Sequence, residues 1–238
     1  MSNALRCGRW EDTLGDVECD ALITDPPYGS RTHDGQADAI RGIDGALRAS
    51  TIPYASWGLE DVDAFVRSWA PRTRGWFCAL TSHDLAPAWE AALEATGRYV
   101  FTPLAVVEPG RNVRLCGDGP AQWACWLVVA RPRTAPWSRW GALPGAYICR
   151  PGAGKGTRLI GGKPLSLMRA LVRDYSRPGD LVCDPCAGAG TTLRAALAEG
   201  RRAIGAEVDP VRWRSATGQG VVSSVATQPD MFAPRCPS

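Results

Sequence analysis

Leu181-Val-Cys-Asp-Pro-Cys-Ala-Gly-Ala-Gly-Thr-Thr192 is the stretch that decides the fold. An apolar run, Asp180 to Cys183, reads as a strand entering a glycine-rich turn. Thr191 to Glu199 carries a helical pattern, and Gly200 stops it. Ala203 to Glu207 follows as another strand. Gly188 and Gly190 let the backbone come close to a bound group. Glu207 stands nineteen residues after Gly188, the spacing at which a carboxylate reaches the hydroxyls of a ribose.

Upstream, the same alternation continues. Pro164 opens a helix with Leu165, Met168, Leu171, Val172 and Tyr175 on one face, and Pro178-Gly179 breaks it. Asp20 to Thr24 and Trp76 to Leu80 read as strands. Glu60 to Trp69 is helical, with Val62, Phe65, Val66 and Trp69 on one face, and Pro71 ends it. Leu85 to Thr96 is a helix closed by Gly97. Tyr99 to Val107 and Gln122 to Ala130 are strands around a Gly/Arg-rich connection. Residues 29–52 are polar and Gly-rich, and 131–162 show little periodicity. Strands alternating with helices predict an α/β fold, a mainly parallel sheet with helices on both faces.

A dinucleotide fingerprint needs a third glycine where Leu193 stands. The loop therefore suits a nucleoside without a pyrophosphate. S-adenosylmethionine fits, with Asp184 placed to hold its ammonium group. Gly152-Ala-Gly-Lys155-Gly-Thr imitates a phosphate loop, but Gly156 occupies the required Ser/Thr position. It reads as a flexible basic loop.

The second informative stretch is Asp25-Pro26-Pro27-Tyr28, directly after a strand. Two prolines fix φ and restrain the residues before them. Such a turn holds Asp25 and Tyr28 in place and leaves the Pro26 carbonyl free to accept. An exocyclic base amine is a poor nucleophile because its lone pair is delocalised. Two acceptors on its N–H groups make the nitrogen more tetrahedral, which is catalysis by orientation and electrostatics. Tyr28 offers a face for an extruded base.

Composition narrows the class. The chain has 238 residues, 45% hydrophobic and 21% charged, enough for one sizeable domain. No stretch approaches the ~20 apolar residues of a membrane span. The first residues lack a signal-peptide core, so a cytoplasmic location is expected. Nine cysteines, an odd number, read as mostly buried free thiols in a reducing compartment. Cys183 and Cys186 form a CxxC with no second ligand pair, so no metal is expected. Residues 131–177 carry ten basic residues against one acid, Asp174, a block able to meet polyphosphate.

Together these motifs resemble the amino-methylating DNA methyltransferases. Asp25-Pro26-Pro27-Tyr28 looks like their catalytic motif, and Asp184-Pro185-Cys186-Ala187-Gly188-Ala189-Gly190-Thr191-Thr192 like their cofactor loop. Gly162-Lys163-Pro164-Leu165, with the helix and Arg177-Pro-Gly-Asp180 after it, is similar to the segment preceding that loop. The order, catalytic motif first, is that of the beta group. The resemblance implies a Rossmann-like, seven-stranded class I methyltransferase sheet and transfer of methyl from S-adenosylmethionine to adenine N6 in DNA. It implies that Asp25 to Tyr28 hold the base and that Asp184, Gly188, Gly190 and Glu207 hold the cofactor. Lys163 matches a lysine that neutralises the cofactor carboxylate or, equally, meets a DNA phosphate. Cys186 departs from the family's usual Phe. The target-recognition slot, about 131–161, is short. One domain is expected over 1–222, with a flexible tail over 223–238. There Gln228-Pro-Asp-Met-Phe232 is similar to peptides that dock on the bacterial sliding clamp. A homodimer sharing recognition is a further expectation. The alternatives are cytosine N4, RNA, a protein amide, or a nucleic-acid-binding relative without catalysis. Asp25 favours adenine, since Ser more often stands there in cytosine enzymes.

Overall fold

The computed structural model describes residues 3–31, 55–110, 120, 122–134, 140–150, 162–218 and 223–225. Its backbone forms one ten-stranded sheet. The strands are β1 (Ala4–Cys7), β2 (Ala21–Thr24), β3 (Phe77–Thr81), β4 (Tyr99–Val100), β5 (Leu104–Val107), β6 (Ala124–Arg131), β7 (Ala146–Ile148), β8 (Leu181–Asp184), β9 (Arg202–Glu207) and β10 (Ser223–Val225). The helices are α1 (Trp10–Thr13), α2 (Leu59–Trp69), α3 (Ala86–Ala95), α4 (Leu165–Tyr175), α5 (Thr191–Ala198) and α6 (Pro210–Gly218). The strand order is β10-β1-β9-β8-β2-β3-β6-β5-β7, with β4 beside β6. From β10 to β3 every pairing is parallel, and β6 runs antiparallel to β3, β4 and β5.

This is the expected class I arrangement with additions. Seven strands, β1-β9-β8-β2-β3-β6-β5, form the seven-stranded pattern, and β10, β7 and β4 extend it. Alternation along the strands separates two cores. Ile23, Cys78, Leu80, Leu127, Val129 and Val182 face α4 and α5. Leu22, Phe77, Ala79, Val128, Leu181 and Cys183 face α2 and α3. Strands buried on both faces read as unbroken apolar runs rather than alternating ones, which is why Ala21–Thr24 and Phe77–Thr81 stand out in sequence.

Several expectations need adjustment. The strand predicted over Tyr99–Val107 is two strands, β4 and β5, interrupted at Phe101-Thr102-Pro103. Pro103 has no N–H to give a ladder. On α4, Leu167 is buried and Leu165 is 40% exposed, so the apolar face begins at Leu167. The weakly periodic region after residue 131 contributes β7, paired in parallel with β5. Tyr147 on β7 is buried and donates to Asp174 Oδ2 at 2.7 Å. The described part of the segment expected to recognise the target, around β7, thus packs on the main body.

The basic block is not one patch. Lys163 is buried. Arg169 and Arg173 both pair with Glu199, at 2.6 and 2.9 Å. Arg177 lies 3.6 Å over the Trp140 ring and Arg131 4.8 Å over Tyr99. Arg131 and Arg177 stand at the sheet edge opposite the carboxyl ends of the parallel strands. The phosphate-loop lookalike and Gln228–Phe232 lie outside the described residues.

In an open α/β sheet, ligands bind outside the carboxyl ends of the strands, where the chain's winding reverses direction. Here that point lies between β8 and β2. From β8 the chain steps to β9 on one side, and from β2 to β3 on the other. Asp184 ends β8, and Asp25 follows β2 directly.

Candidate active site

A cleft of about 280 Å³ opens at this edge, and residues of both motifs line it. On one side stand Asp25 and Pro27, on the other Asp184, Gly188 and Glu207, with Lys163 between.

The glycine-rich loop is shaped by close backbone approaches. Gly188 and Gly190 have φ of +52° and +70°, the left-handed region that favours glycine. Gly190 caps α5, and its N–H donates to Ala187 O at 2.7 Å. Ala187 N–H reaches across to Ala206 O at 2.9 Å. Thr191 and Thr192 are buried at the start of α5. Gly205 on β9 went unnoticed in sequence. A Cβ there would sit 2.6 Å from the Asp184 carbonyl and 3.0 Å from Leu193 Cδ1. Its bareness lets the α5 turn settle on the sheet.

Asp184 is 1% exposed. Its Oδ1 accepts from Thr24 Oγ1 at 2.7 Å and from Cys186 N–H at 3.1 Å. Burial pushes its carboxyl up to about 6, against hydrogen bonds from Thr192, Thr24 and Cys186 that pull it down. The side chain expected to face an ammonium group therefore also ties the cofactor loop to the last residue of β2. Sequence reasoning missed Thr24 in this link, its only signal being its place before Asp25.

Glu207 ends β9 and is buried. Its Oε1 accepts from Asp209 N–H at 2.7 Å. Burial raises its carboxyl above the ordinary value, opposed by backbone N–H groups of Asp209 and Gly188 and by the Arg212 charge. The carboxylate is thus fixed beside the Gly188 turn, where the spacing argument placed it. Pro185 is buried and Cys186 partly so; burial holds the Cys186 thiol protonated, well above its usual range.

The opposite wall comes from residues with no recognisable pattern: Gly8, Arg9 and Trp10 after β1. Gly8 has φ +134° and donates its N–H to Glu207 O at 2.9 Å.

The catalytic-motif turn is held from three sides. Pro26 is buried. Trp57 N–H donates to Tyr28 O at 3.1 Å, and its ring lies 6.1 Å from Trp89 at an interplanar angle of 21°. Gly29 N–H donates to Ser82 Oγ at 3.2 Å. Lys163 Nζ donates to Asp25 Oδ1 and Oδ2 at 3.0 Å each and to Tyr28 Oη at 2.7 Å. Asp25 and Pro27 thus share one cleft with the side chains expected to hold a nucleoside; Thr24–Asp184 links the two motifs, and Lys163 joins Asp25 to Tyr28.

Comparison with known proteins agrees with this geometry. Residues 154–217 match a family model described as DNA methylase. Among solved structures, the M1.HpyAVI–SAM complex aligns with a TM-score of 0.64 at 19% identity, over 91% of this chain and 99% of that one. A Thermus thermophilus protein described as a candidate DNA modification methylase, complexed with S-adenosyl-L-methionine, aligns with a TM-score of 0.64 at 20% identity, over 96% of this chain and 100% of that one. The cytosine-N4-specific PvuII DNA methyltransferase aligns with a TM-score of 0.62 at 15% identity, over 91% and 86%. No curated protein matches the chain. In sequence over residues 154–217, and in fold over nearly its whole length, this chain resembles the beta-group amino-methylating DNA methyltransferases.

Proposed function

We propose that this chain is an S-adenosylmethionine-dependent methyltransferase acting on an exocyclic amino group in DNA, with adenine N6 as the target. The observation that carries the proposal is the meeting of Asp25 and Pro27 with Asp184, Gly188 and Glu207 in one cleft at the point where the sheet's winding reverses, with Tyr28 tied to Asp25 through Lys163.

The residues present fit the cofactor. Glu207 is anchored where it accepts from two ribose hydroxyls, and the bare Gly188 lets the nucleoside lie close. Asp184 supplies negative charge beneath the ammonium end. Bound S-adenosylmethionine supplies an electrophilic methyl group on a sulfonium. The protein's part is orientation. Asp25 and the Pro26 carbonyl accept the two N–H bonds of the target amine and direct its lone pair at the methyl carbon. As the nitrogen gains positive charge, the Asp25 carboxylate lies next to it, in a cleft where fixed charges act more strongly than in water. Tyr28 stacks on the base, which leaves the duplex because its amine is otherwise unreachable. The sequence between β7 and Lys163 carries Lys155 and Arg158, cations of the type that meets DNA phosphates. Adenine is favoured because the family resemblance associates Asp, rather than Ser, at position 25 with that base.

Incubation with methyl-labelled S-adenosylmethionine and mixed-sequence DNA, then nucleoside analysis, tests this. N6-methyladenine is the expected product. N4-methylcytosine would keep the mechanism and move the base, and label in RNA or protein alone would overturn the DNA assignment.

A further inference from the structure

Lys163 occupies a position that the local helix electrostatics do not favour. It stands just before α4, so its charge lies at the positive end of that helix's dipole, unfavourable by ~0.3–1 kcal/mol. Its side chain is 3% exposed, and a buried ammonium without a partner costs several kcal/mol. Its partners come from 138 and 135 residues away. Nζ spans both oxygens of Asp25 and the Tyr28 hydroxyl, and it sits 4.8 Å from the centroid of the Tyr28 ring. An ammonium donates in several directions at once, and these distances bring both side chains of the turn within its reach.

We propose that Lys163 is a positioning residue for the target base, acting through Asp25 and Tyr28. It differs from the two roles its family resemblance offered, neutralising the cofactor's carboxylate or meeting a phosphate. The proposal rests on the amino-methylation reading above. An Asp carboxylate on a free χ1 samples several wells. One cation on both its oxygens selects a single orientation. A carboxylate has about four acceptor sites, so two remain for the incoming amine while Lys163 stays in place. The same ammonium fixes the Tyr28 hydroxyl and hence the ring on which the base stacks. Aligned acceptor and stacking face are set before the base arrives.

Lys163→Met, Lys163→Arg and Lys163→Gln in the full chain test this. Cofactor affinity by calorimetry is expected to stay within about twofold of wild type, while kcat for DNA falls ~10- to 100-fold in Lys163→Met, the scale of a misplaced reacting group. Lys163→Arg is expected to recover part of that loss. Asp25→Asn/Lys163→Met is expected to lose much less than the product of the two single losses, because Lys163 acts through Asp25 and only the Tyr28 contact remains to be lost. Cofactor binding weakened tenfold or more, with kcat restored at saturation, would return Lys163 to the cofactor and overturn the proposal. Losses that multiply in the double variant would overturn it too. The wild type run in parallel keeps the two claims apart. A wild type that methylates no nucleic acid defeats the functional reading, whereas the calorimetric arm judges Lys163 without turnover.

Discussion

Acidification should weaken cofactor binding about tenfold between pH 7 and pH 5, and the cause should be Asp184. Burial pushes this carboxyl up to about 6. A cationic cofactor beside it binds the ionised form better and lowers its pKa. With a bound-state pKa below 5, the fraction of free protein able to bind well drops from roughly nine-tenths at pH 7 to roughly one-tenth at pH 5, about 1.4 kcal/mol. Glu207, also raised by burial, adds loss in the same direction at the acid end. Unfolding does not mimic the effect through Asp184. Its folded pKa lies above the unfolded one, so its contribution to stability is fully present below about 3.8 and is lost as pH rises through about 6. The assay is isothermal titration of S-adenosylmethionine from pH 5 to 7, below the ordinary range of the ligand's own α-amino group. Repeating pH 6 in buffers of different ionisation enthalpy should reveal release of about half a proton. A dissociation constant flat within about twofold, with no proton released, would refute the placement of positive charge near Asp184.

Other outcomes follow from named contacts. Gly205→Ala puts a Cβ 2.6 Å from the Asp184 carbonyl, so denaturant unfolding should show a loss of about 1–3 kcal/mol together with weaker cofactor binding. Asp25→Ala removes the counter-charge of the buried Lys163 ammonium and should cost roughly 3 kcal/mol, discounted from the fully buried case because Asp25 is 20% exposed and Tyr28 still accepts from Lys163; adding Lys163→Met should recover most of the loss in thermal unfolding. Gly29→Ala builds a Cβ 2.3 Å from Asp84 Oδ2, so kcat should fall while the unfolding midpoint moves little, and Asp84→Ala in the same chain should restore activity by removing the clash.

Much of the site was legible because its residues sit in short, locally constrained stretches. Asp184 to Thr192 must turn between a strand and a helix, and two prolines fix Asp25 to Tyr28, so chemistry and conformation coincide in a few positions. Glu207 was legible from spacing, since strand–turn–helix–strand has a nearly fixed length. What local pattern could not carry were pairings across the chain. Thr24 to Asp184 spans 160 residues, and Lys163 to Asp25 spans 138. The role of Gly205 depends on the backbone of a neighbouring strand. β1 was missed because Arg6 breaks its short apolar run, unlike the equally short β2, and β7 because it has three residues; pairing in the sheet decides both. The basic run from Arg131 to Arg177 misled as one surface because linear charge ignores which edge of the sheet each residue reaches.

The most direct test of the central claim compares wild type and Asp25→Asn, both saturated with labelled S-adenosylmethionine as verified by calorimetry, on the same duplex DNA in a single turnover. The wild type should place label on adenine N6, and Asp25→Asn should bind cofactor equally yet transfer at least ~100-fold more slowly. Equal transfer by the two proteins, or no label on any base amine from a cofactor-saturated wild type, would contradict it.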